Sequence, residues 1–258
     1  MTSTSTRTGS PRYRAPRRAL LWTEQLRASA EASAFCAALP QLLTGPHGDG
    51  HRVLVLPGFL ADDASTVVLR RVLRARGFRV YGWGLGRNIG PSDRIVTGMV
   101  DRLADLHGRD GEPVSLVGWS LGGILARELA RLSPDQVRCV ITMGSPFRLT
   151  AEDDPSTTHP GRLFEALKPW HSDLLADRQA EEDRPALQMP ATAIYSKLDG
   201  IVPWQTCMDV AGPQRESVEV SASHLGMGVH PHVQAIVIDR LRQPVGQWQP
   251  YRRHAVAA

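Results

Sequence analysis

The sequence predicts an α/β fold: a mostly parallel sheet of about six strands with helices on both faces. Three observations carry the prediction. Short apolar runs alternate with helical segments from residue 53 onward, and the connections between them are short and rich in Gly, Pro and Asp. Hydrophobic residues at 42 % beside charged residues at 22 % supply enough material for a sheet buried on both sides. At 258 residues the whole fits one α/β domain, expected over residues 19–246.

Each element has its own signal. Arg18 to Leu43 is rich in Ala, Leu, Arg, Glu and Gln, and Leu21, Trp22, Leu26, Phe35, Ala38 and Leu42 recur at roughly helical spacing, which predicts a helix packed on the body. After a Gly/Pro-rich loop, Val53-Leu54-Val55-Leu56 is a continuous apolar run too short for a globular helix, hence a buried parallel strand. The alternation then predicts a helix near 64–76, a strand at 79–83, a helix near 92–107, a strand at 114–117, a helix at 121–132 and a strand at 137–143. It resumes with strands at 191–195 and 217–220 and a helix from about 232 to 241.

Between them, residues 145–190 show no clear strand. Leu163, Phe164, Leu167, Trp170, Leu174 and Leu175 share a face across two short helical stretches broken at Pro169, which predicts a helical lid or cap insertion. Residues 247–258 are expected to be loosely ordered.

The net charge of +4 resembles a nucleic-acid footprint until it is located. Arg7, Arg12, Arg14, Arg17 and Arg18 all precede the first acidic residue, Glu24, which leaves about −1 for the rest of the chain. Residues 1–18 are therefore expected to be a solvated, disordered basic arm, and nucleic acid is not an expected partner. That arm has no apolar run of the kind a secretory signal needs, and no stretch of about 18 apolar residues follows, so a cytoplasmic protein without a transmembrane segment is expected. Cys36, Cys139 and Cys207 are too few, and of the wrong parity, for a disulfide framework.

The chemistry centres on Gly118-Trp119-Ser120-Leu121-Gly122. A strand runs into this five-residue pattern and a helix runs out of it, as a nucleophile elbow requires. The sharp turn projects the Ser120 hydroxyl, and the helix behind it aims free N–H groups at a developing oxyanion. A serine hydroxyl needs a base, and the base needs an acid to orient it. Asp199 directly follows the strand at 191–195, and His224 directly follows the strand at 217–220. Asp173 and Asp209 are rivals for the acid, and His171, His230 and His232 for the base, but none follows a strand so directly. The oxyanion donors are expected to be the backbone N–H groups of Leu121 and of Phe59, in the loop Pro57-Gly58-Phe59 after the first core strand. Trp83, Trp119, Phe164 and Trp170 are candidates for lining an acyl pocket; Arg87 and Asn88 follow the second strand and could face the same cleft.

These residues resemble the bacterial lipase and esterase branch of the α/β-hydrolase superfamily. The order Ser, Asp, His, the step Asp199-Gly200-Ile201-Val202-Pro203 and the loop Ser223-His224-Leu225-Gly226-Met227-Gly228 carry the resemblance, which runs from about Val53 to Leu241. It implies an α/β-hydrolase fold, a serine hydrolase cleaving carboxylic esters, a small-molecule or lipid ester as substrate, and neither metal nor organic cofactor. Pro57 stands where many lipases have His, and no antiparallel strand pair is evident before Val53, so a reduced sheet is expected. The same triad would serve an acyltransferase or a thioesterase, and the same fold a non-catalytic binding protein. The oligomeric state is open.

Overall fold

A computed structural model describes residues 13–150 and 180–252. Six strands form one parallel sheet: β1 (Arg52–Leu56), β2 (Arg79–Gly82), β3 (Val114–Trp119), β4 (Val137–Met143), β5 (Ala191–Ser196) and β6 (Arg215–Val220), in the order β2-β1-β3-β4-β5-β6. The order reverses between β1 and β3. In such sheets, ligands bind in the crevice outside the carboxyl ends of the strands at the reversal, and this is where Leu56, Gly118 and the turn after Trp119 lie side by side.

Alternation along the strands explains the two cores. Leu54, Leu56, Leu116 and Val140 face one side, where α3 (Asp93–Gly108) and α4 (Leu121–Leu132) pack on them. Val53, Val55, Val117, Ile141 and Ile194 face the other, covered by α2 (Val67–Ala75) and α5 (Pro231–Leu241). Every β1 residue is buried, as a strand covered on both faces must be.

The helix α1 spans Arg18–Leu43, as its composition predicts, but it turns a different face inward. Trp22 and Leu26, expected to pack, are 78 % and 72 % exposed. Glu24 and Leu42 are buried instead, and Phe35 and Leu39 lean on the α5 side of the sheet. The inward stripe runs through 24, 27, 31, 35, 39 and 42, a regular helical spacing whose first three members are charged.

Of the proposed lid, residues 151–179, with Phe164 and Trp170, lie outside the described residues, as do residues 1–12 and 253–258. At the C-terminal end, the Tyr251 backbone N–H donates to Glu216 at 2.6 Å and the Arg240 guanidinium donates to the Gln249 carbonyl, so residues 249–251 run along α5 and β6. Among the described residues no strand precedes β1, and no helix is long and apolar enough to cross a membrane.

Candidate active site

Ser120 occupies the one-residue turn between β3 and α4 with φ 53° and ψ −123°, a conformation L residues avoid at a cost of about 1–3 kcal/mol. The surroundings hold it there. Its N–H donates to the Met143 carbonyl at 2.8 Å, and its carbonyl accepts from Gly123 N–H at 3.0 Å. A Cβ at Gly122 would strike the carbonyls of Leu56 and Pro57, so only glycine lets α4 start this close to the end of β1.

The three residues expected from sequence meet in one hydrogen-bonded row. His224 Nε2 lies 3.0 Å from Ser120 Oγ, and His224 Nδ1 lies 2.6 Å from Asp199 Oδ2. The other carboxylate oxygen, Oδ1, accepts the N–H groups of Ile201 and Val202 at 2.8 and 2.9 Å, so the Asp199-Gly200-Ile201-Val202 turn wraps its own acid. Asp199 and His224 are 3 % and 4 % exposed, which makes their attraction far stronger than it would be in water. Burial disfavours a charged imidazole, but the Asp199 carboxylate, through its charge and its hydrogen bond, and the charge of Glu24 together hold His224 above its ordinary value.

The loop after β1 borders the serine: a Cβ on Gly58 would lie 3.3 Å from that of Ser120. Phe59, next in line, packs against the core. Asn88 fixes this loop. Its side-chain amide donates to the Pro57 carbonyl at 2.8 Å, its carbonyl accepts Leu60 N–H at 2.7 Å, and its N–H donates to Ala61 O at 2.8 Å. Asn88 is fully buried and serves the loop as a brace. Leu121 opens α4, and its N–H is one of those that a helix leaves without an internal acceptor.

The aromatic candidates separate. Trp119 is half-buried, and its indole N–H donates to the His224 carbonyl at 3.1 Å, fastening the histidine loop to the elbow strand. Trp83 is 1 % exposed in the core with Leu54 and Met99, and its indole donates to Gly86 O, so it is packing and not an open wall. The rivals among the described residues stand outside this row. Asp209 holds both ends of the buried Arg127 guanidinium at 2.8 and 2.9 Å, His230 precedes α5, and His232 lies against the Tyr251 ring. His171 and Asp173 are outside the described residues.

Hydrophobic patterning gave no sign of Glu24, Arg27 and Glu31 of α1, which contact the loops carrying Asp199 and His224. Their i, i+3, i+7 spacing in line with Phe35 and Leu42 was the available signal.

Residues 46–256 match the model of the alpha/beta hydrolase family. Pimeloyl-[acyl-carrier protein] methyl ester esterase of Aliivibrio salmonicida is 23 % identical over 256 aligned residues, covering 76 % of this chain and 94 % of that protein. Polyketide synthase ThaQ of Burkholderia thailandensis is 30 % identical over 141 residues, 51 % of this chain but 7 % of the synthase, so the chain spans a small part of that relative's length. Among solved structures, the thioesterase domain from the curacin biosynthetic pathway superposes with a TM-score of 0.53 at 16 % identity, over 76 % of this chain and 92 % of that one, a likeness of fold. With the family model spanning most of the chain, from before β1 to beyond α5, this protein belongs to the alpha/beta hydrolase family.

Proposed function

We propose that the protein hydrolyses carboxylic esters through an acyl-enzyme on Ser120. The observation that carries this reading is the continuous row Ser120–His224–Asp199, at 3.0 and 2.6 Å, built on a strained elbow. His224 Nε2 takes the hydroxyl proton as Ser120 Oγ bonds to the ester carbonyl carbon. The carbonyl π electrons move to oxygen, and the N–H groups of Phe59 and Leu121 receive that oxyanion. The intermediate collapses, the C–O bond to the alcohol breaks, and His224 returns the proton to the leaving alkoxide. Water, deprotonated by the same histidine, then releases the acid and restores the serine. Asp199 keeps its charge throughout and steadies the imidazolium.

The test is hydrolysis of p-nitrophenyl esters from acetyl to palmitoyl by wild type and by Ser120→Ala. The reading predicts a rate that the substitution lowers by on the order of 10^4-fold or more. Equal rates in the two proteins would remove Ser120 from the chemistry, and absence of turnover across the series would remove simple oxyesters.

A second reading, cleavage or transfer of an acyl group carried on a thioester, is favoured by relatives named for a polyketide synthase and for an acyl-carrier-protein ester. It keeps the same residues in the same roles. Faster turnover of acyl thioesters than of matched oxyesters, or acyl transfer to an added alcohol or amine, would select it.

A further inference from the structure

We infer that the helix Arg18–Leu43 is a working part of the active site, in which Glu24 is a positioning residue that fixes the acid loop and the histidine loop relative to each other. The inference rests on the proposed roles of Asp199 and His224. The helix precedes the span matched by the family model, which begins at residue 46.

One carboxylate joins the two loops. Glu24 Oε1 accepts the N–H of Gly200, next to Asp199, at 2.8 Å and the N–H of His224 itself at 3.2 Å. Its Oε2 accepts the N–H of Leu225 at 3.0 Å. Arg27 completes the grip on the acid side: it donates to Glu24 at 2.8 Å and to the Leu198 carbonyl at 2.8 Å, so the peptide groups on both sides of Asp199 are held from the helix. One turn further on, Glu31 accepts the N–H and the hydroxyl of Ser223, each at 2.7 Å. At 3 % exposure a carboxylate needs such partners, and Glu24 has three backbone donors and a guanidinium.

Steric fit says the same independently of charge. A Cβ on Gly200 would come within 2.5 Å of the Leu20 backbone, and a Cβ on Gly226 would run into the Glu31 carboxylate. The glycine after the acid and the glycine two residues after the histidine are thus the places where the helix lies against the two loops.

The arrangement has an electrostatic consequence. The charged groups that act on the His224 ring are Asp199, from the loop after β5, and Glu24 from α1, the latter paired with Arg27; Glu31 contacts the neighbouring Ser223, and the neutral Ser120 hydroxyl faces the other side. Glu24 adds its negative charge to that of Asp199, so losing it makes the imidazole easier to deprotonate. A purely structural strut would leave that titration where it is.

The experiment follows the rate of Ser120 labelling by a fluorophosphonate from pH 5 to pH 9 in the full-length wild type, Glu24→Gln and Glu24→Ala, with circular dichroism confirming the fold. Labelling depends on the serine and histidine but not on which ester is the substrate. Glu24→Gln is near-isosteric and keeps one acceptor oxygen, so it remains informative if Glu24→Ala does not fold. The expected result is labelling slowed about tenfold in Glu24→Gln, up to about 100-fold in Glu24→Ala, with the pH midpoint displaced to lower pH in both. A midpoint unchanged from wild type in Glu24→Gln, whatever its rate, would overturn the positioning role while leaving Ser120 as nucleophile. Wild-type protein that takes no label on Ser120 would overturn the proposed function, and the positioning role with it.

Discussion

The carboxylate of Glu24 accepts the backbone N–H of His224 at 3.2 Å, across 200 positions of sequence. The histidine is thereby tied at three points that belong to three different parts of the fold. Its ring is held by Asp199 from the end of β5, its carbonyl by the indole of Trp119 from the elbow strand, and its N–H by α1. Such redundancy suits the role proposed for His224, since a base must stay within about half an ångström of its working position.

The first prediction concerns pH. As the proposed base, His224 can take a proton only when neutral, and its folded-state pKa lies above the ordinary 6.5 because burial is outweighed by Asp199 and Glu24. Activity is therefore expected to fall as pH drops through a midpoint above 6.5, seen in kcat/KM for an ester whose own hydrolysis is flat in that range. The sign for stability is opposite: the raised pKa favours the folded state below the unfolded value and that contribution fades as pH rises through the folded one. Asp199→Asn removes the principal raising charge, so the midpoint should move down and kcat should drop by on the order of 10^4-fold.

Asn88→Ala tests the brace on the loop carrying Phe59. The substitution leaves the buried Pro57 carbonyl without the amide that donates to it, which should cost about 1–3 kcal/mol in thermal or urea unfolding. Because the loop lies beside Ser120, kcat should also fall, by roughly 10- to 100-fold, with a smaller change in KM. A loss of stability with kcat intact would mean that the loop does not hold the oxyanion.

A second row of serine, histidine and aspartate, Ser115–His51–Asp49, provides an internal contrast. Its distances, 2.8 and 2.5 Å, rival those of the proposed site. Ser115, however, sits inside β3 in extended backbone with no exposure, with Cys139 donating to its hydroxyl, and no elbow presents it. Burial pushes His51 below its ordinary pKa, only partly offset by Asp49. Ser115→Ala should therefore keep kcat/KM within about threefold while lowering stability by about 1–3 kcal/mol, since it strands a buried ring nitrogen.

The sheet was legible because strands covered on both faces are largely apolar: Val53 to Leu56 is continuously so, and Ala191 to Tyr195 is interrupted by Thr192 alone. Asp199 and His224 were legible because parallel sheets deliver their loops to one edge, so position after a strand predicts proximity in space. The role of α1 was not, because its inward stripe begins with Glu24, Arg27 and Glu31, which hydrophobicity assigns to solvent, whereas Trp22 and Leu26 face outward. Asn88 was placed near the cleft from its strand, but its partners are backbone carbonyls and N–H groups that side-chain identity does not encode.

The most direct measurement is peptide mapping by mass spectrometry after reaction of the wild-type protein with a fluorophosphonate. One phosphonyl group per chain, on Ser120, absent from Ser120→Ala and greatly slowed in His224→Ala, is the predicted result. No adduct on the folded protein, or an adduct on another residue with Ser120 unmodified, would contradict the account.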